Sequence, residues 1–374
     1  MTAPLSPDVL EDLITGTIAP AAPDVDAEGR FPRDSIDALL AAGYGALTSS
    51  PDVGGVGASF ADAAAVVRRL AAVCGSTAMI YTMHLAATAA IEAAGSDEVR
   101  RQIAAGRHLS TLAFSERGSR SHFWATLSTA RAEGDDVVLD AEKSWVTSAG
   151  EADSYVWTSR PVEADGPSTL WLVPADAPGL KVGAPFDGLG LRGNASSPVA
   201  AVGARIGRSA MLGADGGGLD LALSQVLPWF LVLNAAGGLG FGDAALAATL
   251  DHLTSARLEH LDQTLADQAV PRARYGRLRV VLDSAGALVD DACVALGSGR
   301  PDAPLRMLEV KAAAGEAAIE VTSEAMRLGG GAAFRRDIGV ERHFRDARAS
   351  SVMAPTSDAL HDMITRALTG MPLL

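Results

Sequence analysis

Glu341, Arg342, His343, Arg345, Asp346 and Arg348 crowd ionisable side chains into the stretch ERHFRDARASSVMAPTSD, and then none appears until Asp358. A run of paired charge prepares either an ion-pair network or the approach to a reactive site. The quiet second half ends in Thr356 and Asp358, a hydroxyl and a carboxylate two residues apart. In an extended segment both would face one side, where the carboxylate could serve as a general base. Asp358 equally suits the amino end of a helix over ALHDMITRAL.

Other stretches offer binding chemistry. KSWVTSAG sets the indole of Trp145 and the hydroxyl of Thr147 two residues apart; on a strand they share a face and reach one planar ligand. LAFSERGSRSH supplies hydroxyls at Ser115 and Ser121, with Glu116 and His122 as ionisable neighbours. RLGGGAAF places Gly329 and Gly330 where a backbone could approach a ligand closely, or where a helix simply ends. GGLGFG follows no strand and lies in a helical pattern, which excludes a dinucleotide fingerprint there. Cys74 and Cys293 stand far apart in alanine-rich patterns with no metal spacing, so both are expected as buried, inert thiols.

These stretches are carried by three regions. Residues 1–108 have the 3.6-residue period of packed helices, with Ser6 and Ser96 as N-caps and Gly75, Gly95 and Gly106 as stops. Residues 109–215 break into short Val-, Thr- and Trp-rich runs punctuated by EGDD and ADAPG, the pattern of a β sandwich or barrel. Residues 216–374 return to long helices. LPWFLVLNAAGGLGFGDAALAATL is long enough to span a membrane, but Asn234, Asp243 and the glycines interrupt it, and it is expected as a core helix. A helix–β–helix order describes a β module set between parts of an α-helical body. The formal charge of −14 argues against nucleic acid and anionic membrane as partners. MTAPLSPDVLEDLI lacks a basic leader and apolar core, which predicts a cytoplasmic protein.

In order and spacing the chain resembles the acyl-CoA dehydrogenase superfamily. The resemblance rests on FPRDSIDALLAAGYGALTSSPDVGGVGAS, LAFSERGSRSHFW, KSWVTSAGEADSYV, GLGLRGNASSPVAAVGARI and RLGGGAAFRRDIGVERHFRDARASSVMAPTSD. It implies an α+β fold with an N-terminal helical domain, a middle β domain and a C-terminal four-helix bundle, together with bound FAD. It also implies flavin-binding roles for Phe114, Ser115, Ser121, Trp145, Thr147, Gly329, Gly330 and Thr356. Arg257 and Gln268, in SARLEHLDQTLADQ, match residues that hold a neighbouring subunit's FAD. His122 stands where the family has Asp, and Arg117 where it has Pro. No metal is implied, and a homotetramer, or else a dimer, is expected.

The family's catalytic Glu falls at Ala354, and the glycine after it at Pro355. The alternative location used by a subgroup, on an earlier helix, falls at Phe230. Three functions remain open. One is oxidation of an acyl thioester on CoA or a carrier protein, with electrons passed to an electron-transfer partner and a relocated base at Asp358, His122 or Glu116. Another is a monooxygenase of the same fold, using O2 and flavin (FMN being an alternative to FAD) reduced by a separate reductase. The third is a non-catalytic flavin-binding subunit.

Overall fold

The computed structural model describes residues 6–120 and 122–374. The Ser6 hydroxyl accepts the Asp8 amide and opens α1 (Pro7–Leu13), with Pro7 in the first turn. There follow α2 (Ala19–Glu28), α3 (Arg33–Ala41), α4 (Phe60–Ala71), α5 (Gly75–Ala94) and α6 (Asp97–Ala104), the last capped by Ser96. Gly75 does not stop a helix, as its sequence context suggests; it begins α5. A Cβ at Gly75 would lie 2.5 Å from Asp346 Oδ2. Glycine thus admits a carboxylate to the amino end of a helix, where the dipole favours negative charge.

The strands are β1 (Ser110–Ala113), β2 (Thr129–Glu133), β3 (Asp136–Val146), β4 (Ser154–Ser159), β5 (Thr169–Pro174), β6 (Leu180–Val182), β7 (Ser197–Gly207) and β8 (Met211–Leu212). They form two four-stranded sheets in the orders β1-β4-β5-β8 and β2-β3-β7-β6. Val137, Leu139 and Val199 of one sheet and Tyr155, Trp157 and Trp171 of the other share one buried cluster, which makes the pair a sandwich. Beyond it come α7 (Gly218–Leu221), α8 (Leu227–Ser255), the hairpin β9 (Arg257–Leu258) and β10 (Gln263–Thr264), then α9 (Ala269–Ser298) and α10 (Ala303–Ala333). The chain closes with α11 (Val340–Ala347), α12 (Ala349–Val352) and α13 (Ser357–Thr369).

The chain divides into two compact units. One takes in residues up to Ser59, Met79–Gly188 and Arg192–Phe230; the other comprises Phe60–Ala78, Leu189–Leu191 and Leu231–Leu374. The first therefore joins most of the opening helices to the sandwich, and the second is the helical bundle with α4 added.

Within the second unit α8 is packed through its glycines. A Cβ at Gly240 would collide with Arg68 O of α4 and lie 2.8 Å from Ala71 Cβ, and one at Gly238 would lie 3.2 Å from Ala314 O of α10. The apolar run is thus a core helix between two neighbours, and Arg68 clamps Asp243 with bonds of 2.6 and 3.1 Å. The charged run of α11 is a docking face. Arg342 donates to Val73 O (3.0 Å), the Asp346 carboxylate accepts the Leu191 amide (2.7 Å), and Arg345 pairs with Glu341 while reaching Leu189 O. Both cysteines are buried, and burial raises each thiol's pKa, that of Cys293 to about 11.

Gly240→Val should overpack the α4–α8 contact and lower stability by about 1–3 kcal/mol. Thermal unfolding checks this, and an unchanged melting temperature would contradict the close approach.

Candidate functional site

In the first unit, a short bridge brings the two β-region motifs together. Ser144 N donates to Ser115 O, Arg117 N donates to Glu142 O, and Glu116 pairs with Lys143, so Phe114–Arg117 lies alongside the end of β3. A register shift falls between Lys143 and Val146, and Trp145 within it has φ +57°. That bulge corrects the strand argument made from sequence. Trp145 and Thr147 do not alternate onto one face of a regular strand; the indole is 60% exposed, whereas Thr147 is buried. The indole stacks on Phe186 at 4.2 Å and 26°. An exposed aromatic plane already backed by a second ring suits a flat heterocycle far better than it suits a β core.

Beneath this platform lies an ion pair with almost no exposure. Lys143 Nζ donates to Glu116 Oε1 (2.5 Å) and to the carbonyl and hydroxyl of Thr158 (2.8 and 2.7 Å). Glu116 also accepts from the amides of Leu127 and Ser128 (2.7 and 2.9 Å) and from the Ser128 hydroxyl (2.5 Å). Burial opposes the charge of Glu116, but Lys143 and these donors outweigh it and hold the carboxyl below its ordinary pKa. Burial draws Lys143 down to about 8 despite its partner. Glu116 is therefore committed to structure, which removes it as a base. His122 lies in the turn that follows, exposed, with Nδ1 3.0 Å from Ser119 O and its ring edge-on to Trp124. Ser121 lies outside the described residues.

In the second unit, Gly330 breaks α10 at φ +52°, ψ −135°, a conformation reserved for glycine. No atom stands within 4 Å of where its Cβ would be, so the backbone is open to a ligand; Gly329 is buried, its Cβ position 2.5 Å from Ala333. Arg257 and Gln268 flank the α8–α9 hairpin, but each has a local partner: Arg257 pairs with Asp262, and Gln268 donates to Gln263 (2.6 Å). The segment after α12 is not extended through Asp358. Thr356 is the N-cap of α13, accepting the Ala359 amide (3.3 Å), and Asp358 sits exposed in the first turn. The shared face expected for Thr356 and Asp358 is thus absent, because the helix starts at Ser357, two residues before the Ala359 start that an extended segment through Asp358 requires. Asp358 complements the helix dipole there.

Two groups at this segment escaped the sequence reading. Lys311 of α10, fully buried, donates to Ser350 O (2.9 Å), Met353 O (3.0 Å) and Pro355 O (2.8 Å). Asn234 of α8, also buried, has its Nδ2 4.0 Å from Met353 Sδ and its Oδ1 without a partner. The signal for Lys311 was available: Met307, Lys311, Ala314, Ala318 and Val321 form one apolar helical stripe, with a lysine in it. Of the two candidate carboxylates, Glu116 is buried but fully engaged and Asp358 is exposed at a helix end, so neither is both buried and uncommitted. No cluster of metal-ligating residues occurs among the described residues.

Residues 7–106, 111–201 and 216–369 match the N-terminal, middle and C-terminal domains of acyl-CoA dehydrogenase. The chain is 30% identical over 363 residues to the mitochondrial short-chain specific acyl-CoA dehydrogenase of Bos taurus, covering 93% of this chain and 85% of that one. The chain belongs to the acyl-CoA dehydrogenase family. It is 29% identical over 364 residues to the probable acyl-CoA dehydrogenase fadE25 of Mycobacterium leprae, covering 94% and 91%. The butyryl-CoA dehydrogenase of Megasphaera elsdenii has the same fold, with a TM-score of 0.91 at 21% identity over 97% and 96% of the two chains. This family member therefore has the three-part flavoprotein oxidoreductase fold expected from its motifs.

Glu116→Gln would strand the Lys143 ammonium and should lower stability by about 3–5 kcal/mol at neutral pH. The folded carboxyl titrates below the unfolded one, so its stabilisation is complete above the ordinary carboxylate range and is lost as pH falls through the depressed value. The gap in melting temperature between native protein and variant should narrow on acidification; a constant gap would contradict the assignment.

Proposed function

We propose that the protein is an FAD-dependent oxidoreductase acting on an acyl thioester or a close chemical relative, without a side-chain base at position 354. The observation that carries this reading is Ala354 itself, a methyl group in a family member's segment that keeps Arg345, Asp346, Arg348 and Thr356 of the motif and also replaces its glycine with Pro355. Trp145 offers the surface for the flavin ring, with Ser115 and Thr147 contributing hydroxyls beside it. Gly329 and Gly330 fit the dinucleotide, and Thr356 remains a candidate through its hydroxyl proton, its oxygen being used by the cap. Arg257 and Gln268 would have to leave their local partners to serve a neighbouring subunit. A bound flavin supplies the hydride acceptor.

The residues of this chain then decide what happens to the substrate proton. Ala354 and Phe230 cannot accept it. Glu116 is held ionised and fully hydrogen-bonded, and Asp358 belongs to a helix end. His122 is the carried candidate that remains: with Nδ1 facing Ser119 O, an Nδ1–H tautomer leaves Nε2 to take a proton. An exposed imidazole on a turn is a poorer base than a fixed, desolvated carboxylate, so proton removal should limit any α,β-dehydrogenation. Loss of both family carboxylates also favours a monooxygenase reading, since that reaction abstracts no α-proton and needs no such base. An electron-transfer partner accompanies the first reading and a flavin reductase the second; homotetrameric assembly is proposed for both.

Anaerobic mixing of the FAD-loaded protein with acyl-CoA thioesters separates them. Dehydrogenation predicts slow flavin bleaching without added reductase, accelerated about 10²–10⁴-fold in Ala354→Glu and diminished in His122→Gln. Bleaching only with NAD(P)H and a reductase, followed by oxygen uptake, would establish the monooxygenase. No flavin binding at all would contradict both. Trp145→Ala should weaken FAD binding about 5- to 150-fold by titration, stacking being worth about 1–3 kcal/mol by analogy with base–aromatic contacts.

A further inference from the structure

Lys311 has a place in the fold that its bundle does not require. It stands in the apolar stripe of α10, fully buried, where a leucine or methionine would pack without desolvating a charge. No carboxylate pairs with it among the described residues, and burial alone draws its pKa down to about 7. An ammonium has three N–H donors, and all three are spent on one short segment: the carbonyls of Ser350, Met353 and Pro355. Two of these acceptors immediately flank residue 354. The same segment is also held locally, by the Met353 amide on Ala349 O, the Ser351 hydroxyl on Arg348 O, the Leu360 amide on Thr356 O and the Thr356 cap, but none of these bonds engages the carbonyls of Met353 and Pro355. Asn234 meets it from α8 only through the Met353 sulfur.

We propose that Lys311 is the positioning residue of this segment: it fixes the main chain on both sides of position 354, so that the side chain there is presented in one direction. The inference rests on position 354 being the reactive place. Ordinary capping of α12 would engage the carbonyls of its last turn, Ser350 among them. It would not engage Pro355 O, which lies beyond the helix and on the far side of residue 354. Three bonds to one ammonium make a tripod, and a tripod with a foot on each side of a residue sets its orientation as well as its place. Chemistry at a fixed reacting centre depends steeply on such placement.

The test compares Ala354→Glu with the same protein carrying Lys311→Met or Lys311→Gln, the latter keeping two donors without the charge. Amide exchange by mass spectrometry in the FAD-free proteins should rise about tenfold or more across residues 349–356 in the Met variant, with β3 unchanged. With FAD and butyryl-CoA, the limiting rate of flavin reduction should fall about 10–100-fold while the apparent Kd for the thioester stays within about twofold. Lys311→Gln should recover part of both effects, and if the Met variant does not fold, the Gln variant carries the comparison alone. Exchange and limiting rate equal to those of the parent, or a rate that falls only in proportion to lost FAD content, would overturn the proposal. If Ala354→Glu itself gains nothing over the native protein, the reading of position 354 fails, while the exchange measurement still decides whether Lys311 holds the segment.

Discussion

The Lys311 ammonium is surrounded by peptide oxygens and, among the described residues, by no counter-charge, and the segment it grips is the one that carries Ala354. Lys143 is just as deeply buried, yet it faces a carboxylate and a threonine. Each lysine pins a stretch of main chain that the bundle or the sandwich alone would leave loose. Lys143 does so with the Coulomb attraction of Glu116, and the ionised pair tolerates burial because every remaining lone pair of the carboxylate is met by a donor. Lys311 does so with hydrogen bonds alone and titrates nearer neutrality as a result.

Such a frame makes a single side chain decisive. With the backbone around 354 held by Lys311 and α11 anchored through Asp346 on the Leu191 amide, the segment presents whatever residue stands there. In this chain that residue is alanine. Alanine there cannot accept a proton, Glu116 is engaged with Lys143 and Asp358 stands at a helix end, which leaves His122 on its exposed turn. Binding and proton chemistry are separable in this fold because different residues, on different elements, serve them.

Much of this was legible before any coordinates. The change of period near residues 109 and 216 announced the helix–β–helix order, and Ser6 and Ser96 announced their helices. The ordered motifs pointed to the family. The misreadings share a cause: local rules were applied where tertiary contact decides. Gly75 looks like a stop, but Asp346, remote in sequence, makes it a start. Trp145 and Thr147 look like alternating strand residues, but a bulge turns the indole outward. Asp358 looks catalytic or capping by spacing, and Thr356 takes the cap. The apolar stripe of α10 marks Lys311 as out of place, but only the carbonyls of a segment some forty residues away show what it holds.

The most direct measurement is exchange of the α-hydrogens of a saturated acyl-CoA in D2O, catalysed by the FAD-loaded protein under anaerobic conditions. It reads proton transfer whether or not net oxidation follows. The account predicts that the native protein exchanges them at least about 100-fold more slowly than Ala354→Glu, because no carboxylate faces the α-carbon. Exchange in the native protein as fast as in that variant would show that an equally well-placed base exists elsewhere, and would contradict the account.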